Sequence, residues 1–463
     1  MEKSATSDAA SPTSRASAAP DDYPSEPYAW YVVAVLVLAY TVSYIDRTIL
    51  TLMVAPIRAT LGISDVQISL LHGLAFAIFY TLLGVPIGWL ADRANRTRII
   101  AAGIFVWSLM TALCGLSRNF VQMFLARVGV GVGEAALSPA AYSMLADYFR
   151  PEKVTRAVSV YSTGVYLGSG FALIVGGAVI AITPSLDLPV VGHLEPWQVV
   201  FLAVGLPGLL VVALMATVRE PKRRGLITRA GSAATVSFAD TVAFVRLRRR
   251  AYGCHFLGYA TLAMLWSGTS AWIPSFLIRT HGWTPGDVGL WFGLAVLILG
   301  TLGISLGGVF SDWLKRRGRS DANMLIGIVS ALAVLPAGII APLMPNAPAA
   351  LGVYCILVFF SSFPYGGAAA GLQEITPNQM RAQVSAMYLF VVNLAGIGVG
   401  PTLVASITQY GFGDDLALRY ALPIAAAVTA PIAALLLAAG RRAYRDGVAE
   451  AQAWAGRGAG RES

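Results

Sequence analysis

Twelve apolar runs dominate this chain, and their length leaves few folds open. They lie at about 29–57, 68–91, 98–117, 120–148, 155–182 and 198–218, then at 251–279, 287–312, 322–343, 349–374, 381–410 and 418–440. Each reaches the roughly 20 residues that carry a helix across a hydrocarbon core. Charged residues make up 12% of the chain, half the roughly 25% of a soluble domain. The expected fold is therefore an all-α polytopic membrane protein of twelve transmembrane helices. The polar interval 219–250 divides them into two halves of six. The boundaries expected are a disordered tail over 1–27, a first six-helix half over 28–218, a basic linker over 219–250, a second half over 251–440 and a basic tail over 441–463. The tail lacks the basic n-region and short apolar core of a secretory signal.

The net charge of +9 finds its explanation in topology, so no nucleic-acid partner is expected. Lysine and arginine prefer the cytoplasmic loops of a membrane protein. With both termini placed inside, only Arg58, Arg118, Arg279 and Arg419 fall on the outer side. Within the linker, Phe238, Val242 and Val245 recur at helical spacing, which predicts an amphipathic helix on the inner leaflet. Cys114, Cys254 and Cys355 are dispersed through apolar runs, which excludes a disulfide framework and a zinc site. The absence of H-E-x-x-H, G-x-S-x-G and P-loop motifs points away from an enzyme. No cofactor and no metal are expected, and a gradient must supply the energy of any transport.

Four charges interrupt the apolar runs of the first half. Asp46 and Arg47 sit side by side in the first run, and Arg127 and Glu134 in the fourth. A charge at a helix centre costs roughly 2.5–3.5 kcal/mol on insertion scales, so each is a functional hypothesis by default. Adjacent helical residues point about 100° apart, so Asp46 and Arg47 need separate partners. Arg127 and Glu134 share a helix face about 10 Å apart along the axis, too far for a direct bond. The pairing expected is Arg47 with Glu134 and Asp46 with Arg127, as alternating pairs, with Asp46 exchanging a proton. An arginine neighbour lowers a carboxylate's pKa and desolvation raises it. A carboxylate that loses its arginine in one state therefore binds a proton in that state. Gly129, Gly131 and Gly133 precede Glu134 with no strand before them, so they read as sites of close helix approach, as do Gly396, Gly398 and Gly400. Glu134 is expected well inside a continuous helix.

The loops carry an echo of each other. G-x-x-x-D followed by basic residues occurs at Gly88, Asp92, Arg93, Arg96 and Arg98, and again at Gly308 and Asp312. A second echo sets the P-E-K-V-T-R-A at 151–157 against the P-N-Q-M-R-A at 377–382, offset by about 225. Two homologous halves follow, with a binding site between them near the bilayer midplane. Twelve spans with this loop motif resemble the major facilitator superfamily, over nearly the whole chain. Tyr44, Ile45, Asp46 and Arg47, with the G-V-G-E-A at 131–135, resemble spinster-like transporters of lysolipids and sphingolipids, and also organic anion–cation symporters. The stretch at 381–401 is closer to bacterial spinster-like members. Asn95 stands where the superfamily places a glycine, and a left-handed conformation is expected of it. The antiporter motif of the fifth span is incomplete, with Gly164, Gly168, Gly170, Gly176 and Gly177 but no Gly-Pro step.

The resemblance implies coupling by Asp46 and Glu134, with Arg47 and Arg127 as ion-pair or head-group residues. Gly88, Asp92, Arg93, Arg96, Arg98 and Asp312 are expected to latch the halves on the cytoplasmic side. The second half shows no charge well inside a span and offers aromatic and small polar residues instead. Phe76, Tyr80, Tyr161, Tyr166, Trp266, Trp272, Tyr388 and Asn393 are the expected cavity residues. A charged half facing an aromatic half suits an amphipathic anion, lysolipid- or sphingoid-like, moved with protons by alternating access. The alternatives are a proton symporter of a small organic anion, such as a sugar acid or aromatic acid, and an energy-independent lipid conduit. The expected partners are the substrate, protons and membrane lipids, with the chain a monomer in a bacterial inner membrane.

Overall fold

Capping residues and prolines set the ends of the spans. Ser64 and Gln67 form a reciprocal capping box at the second, Glu195 and Gln198 at the sixth, and Thr284 and Asp287 at the eighth. Asn95, Asn119 and Asn346 cap the third, fourth and tenth with their side-chain oxygens. Each satisfies a first-turn N–H that the helix cannot. The computed structural model describes residues 23–91, 93–189, 192–223 and 237–459. Asp92, residues 1–22 of the N-terminal tail, 190–191, 224–236 of the linker and 460–463 of the C-terminal tail lie outside them.

Among the described residues, eleven helices are long and apolar enough to cross a membrane. Six precede the linker: Glu26–Leu52, Asp65–Gly84, Arg96–Gly115, Phe120–Tyr148, Arg156–Ile182 and Pro196–Ala216. Five follow it: Pro285–Arg316, Ala322–Leu343, Ala347–Ile375, Gln383–Phe412 and Asp415–Ala451. The remaining span, the seventh, is Arg249–His281, a helix of 33 residues. Arginines and histidines along it lower its hydropathy, but its length of about 50 Å crosses the core. An even number of spans returns both ends of the chain to one face, here called the basic face. The other is the far face. One antiparallel hairpin departs from the all-helical expectation: Leu186–Leu188 pairs with Gly192–Leu194 on the far face. The linker helix, Phe238–Leu247, opens on a Ser237 and Asp240 capping box. Those hydrogen bonds hold the Asp240 carboxyl below its usual range.

Several spans are interrupted, and the fourth corrects the expectation of a continuous helix. It breaks into Phe120–Glu134 and Leu137–Tyr148, so Glu134 ends its helix. Pro139 explains the break, because it offers no N–H to the carbonyl of Ala135 and its ring crowds that oxygen. The tenth span breaks likewise, into Ala347–Ser362 and Tyr365–Ile375. Pro364 there frees the Phe360 carbonyl, which accepts from the Ser330 hydroxyl at 2.7 Å. The second helical segments begin 228 positions apart. Spans two and eight each contain one wide five-residue turn, Leu70–Leu74 and Val296–Gly300, 226 positions apart. The loop echo near 225 is thus repeated in the backbone.

The halves are tied together at the far face. Arg279 grips Asp65 with both guanidinium nitrogens, at 2.7 and 2.8 Å. Arg58 reaches Asp65 at 3.1 Å and Asp415 at 2.5 Å. Val66 N–H donates to Gln409, and Ser69 meets Thr402. Spans five and eight cross there on glycines: a Cβ at Gly289 would stand 2.4 Å from the Leu173 carbonyl oxygen and 2.9 Å from Gly177 Cα. A Cβ at Gly84, farther along span two, would meet nothing within 4 Å. Gly289→Leu is therefore expected to hold the far mouth open, since overpacking costs roughly 1–3 kcal/mol and the obstacle is backbone. With Cys114, Cys254 and Cys355 changed to serine and Gln409 to cysteine, a membrane-impermeant maleimide should label the Gly289→Leu protein about tenfold faster. Equal labelling would show that the crossing tolerates the side chain.

Candidate functional site

The four buried charges gather where spans one, two, three and four meet, but not in the arrangement expected for both pairs. Arg47 and Glu134 form an ion pair, with Arg47 Nε donating to Glu134 Oε2 at 2.5 Å. The Ser43 hydroxyl donates to the same oxygen at 2.5 Å. Asp46 and Arg127 do not pair through the carboxylate. Arg127 Nη1 donates to the Asp46 backbone carbonyl at 3.0 Å, and its Nε to the Leu71 carbonyl at 3.2 Å. The reason lies in the backbone. The first helix ends at Thr48 and tightens to three-residue turns over Ile49–Leu52, and the carbonyls of a last helical turn have no partner within the helix. Arg127 fills that need.

Two neighbours on one helix consequently face two environments. Asp46 is fully buried, and among the described residues its carboxylate forms no ion pair. The Thr111 hydroxyl of span three is its polar neighbour, whereas Ser108 turns its hydroxyl toward Gly208 of span six. Oε1 of Glu134 is buried with no hydrogen-bond partner among the described residues. Such groups are few, because each buried unpaired polar group costs about 1–3 kcal/mol. Gly133 lets spans three and four approach closely here, since a Cβ there would stand 2.6 Å from the backbone nitrogen of Trp107.

Arg47 faces the other way. Its guanidinium lies 4.3 Å from the ring centre of Phe76 and 4.9 Å from those of Tyr44 and Tyr80. Its side chain remains 15% exposed. More rings extend this wall. Tyr40 stacks on Tyr161 at 4.8 Å, and Tyr142 meets Tyr161 edge-on. Tyr166 meets Tyr365 across the two halves. Tyr142 is 41% and Tyr365 50% exposed although both contact rings deep in the bundle, so they border a cavity between the halves.

Phe76, Tyr80, Tyr161 and Tyr166 thus come together as expected of cavity residues. Trp272 does not join them: it is buried, and its indole N–H donates to the Pro401 carbonyl, fastening span seven to span eleven. Tyr388 packs on His255 and Phe256 within the second half. Trp266 is half-buried against the core, and Asn393 is half-buried where span eleven widens into Leu394–Val399. Tyr40, Ser43, Tyr44 and Tyr142 were missed as cavity residues, whereas Tyr365 of span ten was among the aromatics the sequence offered. The spacing of Tyr40, Tyr44 and Arg47 along one helix face is the signal that could have found three members of this wall.

In this structure, closed at the far face, the described loop residues bond on their own side of the molecule and do not bridge the halves. Arg96 is buried and binds Asp147 at 2.5 Å and Ser143 at 2.8 Å within the first half, and Glu220 at the start of the linker at 2.7 Å. Arg93 lies over Trp89, Gly88 is half-buried beside Pro139, and Arg98 and Asp312 are exposed. Asn95 is not left-handed. At φ −70° it caps span three, accepting from Arg98 N–H and the Thr97 hydroxyl. The second half holds a counterpart of the Arg96 cluster. Glu374 accepts from Lys315 at 2.5 Å, Asn323 at 3.0 Å and Tyr444 at 2.8 Å. Arg96 and Asn323, like Asp147 and Glu374, are 227 positions apart.

The family model of the Major Facilitator Superfamily matches residues 36–401. The chain belongs to this superfamily. Like other transporters of the superfamily, it is an integral membrane protein. It is 29% identical over 398 residues to an MFS-type efflux pump of Mycolicibacterium smegmatis, covering 84% of this chain and 86% of that protein. It is 25% identical over 292 residues to a probable L-galactonate transporter of Escherichia coli, covering 61% of each. Among solved structures it resembles a bacterial homologue of the human lysosomal transporter spinster, in an inward-facing and unoccupied conformation. The TM-score is 0.78 at 28% identity, covering 92% of this chain and 99% of the other. The superfamily member described here, fastened at the far face, is similar in fold to that conformation.

Within this transporter the pair of Arg47 and Glu134 is open to direct test. Glu134→Gln leaves Arg47 with its rings but no carboxylate. Removing one partner of a buried pair costs 3–5 kcal/mol, and the exposed edge of Arg47 should hold the loss to about 3 kcal/mol. A lowered midpoint of thermal unfolding in detergent is the expected readout, with an unchanged midpoint for Glu134→Asp only if the shorter chain still reaches Arg47.

Proposed function

We propose that this transporter couples proton movement to the passage of an amphipathic anion. The observation that carries the reading is the division of labour between adjacent residues of span one. Arg47, held among Tyr44, Phe76 and Tyr80, offers a cation and apolar rings to the cavity. Asp46, a residue away, is sealed from it with an unpaired carboxylate. An anionic head replaces Glu134 on Arg47, and an acyl or sphingoid chain lies along the tyrosine wall. Cation–π contacts of this kind contribute about 0.5–2 kcal/mol each, enough to keep the arginine in place while its anion changes. Asp46 carries the proton, and the basic face is cytoplasmic, as the distribution of lysine and arginine favours. A bacterial inner membrane with both termini inside completes the reading.

The name of the Escherichia coli relative supports a second reading, in which the anion is a small sugar acid. The same arginine would serve it, but the rings beyond Tyr80 would have no task. Uptake into proteoliposomes under an imposed pH gradient separates the two, with a lysophospholipid, a sphingoid phosphate, a hexuronate and an aromatic acid as substrates. Accumulation of the lipids alone supports the amphipathic reading. Accumulation of the small acids alone overturns it, and flux that ignores the gradient overturns proton coupling.

A further inference from the structure

A second cavity lies far from the tyrosine wall, at the basic face of the second half. The linker helix Phe238–Leu247, the start of span seven and the end of span twelve enclose about 1060 Å³. Arg246, Arg248, Arg249 and Arg250 line it, with Asp446 and Glu450 the acidic residues opposite. Glu450 is engaged by Arg248 in a forked pair at 2.5 and 3.2 Å. Arg246, Arg249 and Arg250 are exposed and form no ion pair among the described residues, so three guanidiniums face the single carboxylate of Asp446. The remaining lining is apolar, including Val242, Leu247 and Ile375. At the two ends of the linker helix Phe238 is 62% and Leu247 81% exposed. Large apolar residues so exposed, beside a cluster of arginines at the mouth of two membrane spans, match the boundary between lipid head groups and acyl chains.

We propose that this cavity binds the head group of an anionic phospholipid from the leaflet at the basic face. A guanidinium recognises a phosphodiester through paired N–H donors, and basic pockets between transmembrane helices suit such head groups. The acyl chains follow Leu247 and Val242 into the membrane. The bound lipid bridges the linker helix to spans seven and twelve, fixing the connection between halves onto the second of them. The site is separate from the Arg47 cavity, and it stands whatever that cavity transports.

Native mass spectrometry of the full chain in detergent tests this with phosphatidylglycerol, phosphatidylcholine and inorganic phosphate as probes. Phosphatidylglycerol should be retained with about tenfold higher occupancy than phosphatidylcholine, and phosphate at about 10 mM should not displace it. The variant Arg246→Gln/Arg249→Gln/Arg250→Gln should bind phosphatidylglycerol no better than phosphatidylcholine. Arg98→Gln/Arg316→Gln/Arg317→Gln, which removes equal charge elsewhere on the same face, should bind as the wild type does. Equal retention of the two lipids by the wild type overturns the proposal, and that comparison needs no variant to fold. Displacement by phosphate would reassign the cavity to a soluble anion. Equal loss in the second variant would reduce the effect to net charge.

Discussion

Asp46→Asn should abolish accumulation driven by a pH gradient, by about 100-fold or more, or roughly 2.7 kcal/mol, while substrate exchange stays within about threefold. The amide matches the carboxyl in shape but has no proton to release. Asp46 bonds neither Arg47 nor the tyrosine wall, and its polar neighbour is Thr111 of span three. The pair of Arg47 and Glu134 is left intact. Stability supplies an independent readout with a definite sign. A carboxyl buried without an ionic partner must hold a proton to stay there, and an amide needs none, so the unfolding temperature of Asp46→Asn should exceed that of the wild type by a margin that grows as pH rises. Loss of exchange together with accumulation would place Asp46 in substrate binding. Full accumulation would show that the proton travels elsewhere.

The second large effect belongs to the far face. Asp65 is 2% exposed and holds Arg279 of the other half through both oxygens, with Arg58 beside it. Asp65→Asn gives Arg279 one amide oxygen in place of a carboxylate, while Arg58 keeps Asp415. The loss expected for a buried pair is about 3–5 kcal/mol, and each 1.4 kcal/mol shifts a two-state equilibrium tenfold, so the far mouth should open in a large share of molecules. Distances between spin labels at residues 60 and 414 would report this as a second, longer population. Asp415→Asn provides the contrast. Its carboxylate is 54% exposed, and a solvated pair contributes about 0–1 kcal/mol, so the distance distribution should barely move. Equal responses to the two substitutions would mean that the spans, and not the Asp65 cluster, close this mouth.

Much of the architecture was legible because membrane helices must satisfy their own backbone. Length and apolarity alone located the spans, and the loop echoes located the two halves. The partnership of Arg47 with Glu134 was also legible, from the antiparallel course of spans one and four and the reach of a guanidinium. What escaped was set by breaks in the helices. Arg127 answers the Asp46 backbone and not its carboxylate because the helix tightens after Thr48, a change no periodicity announces. Glu134 ends its helix because of Pro139, five residues on, which an apolar reading of 120–148 passes over. Arg96 looked like part of a latch between halves because its loop is basic. Its three partners, Asp147, Ser143 and Glu220, converge from distant positions that only the folded first half and the start of the linker bring together.

The recurrence of the backbone breaks in both halves bears on how such a molecule can bend. A continuous helix resists flexure along its whole length, whereas one whose ladder is interrupted at a single point pivots there. Spans four and ten each carry a break at matched positions, and spans two and eight each carry a wide turn at theirs. Each half is thus jointed twice at corresponding points. Any bending of these spans is expected to concentrate at those joints, in both halves alike.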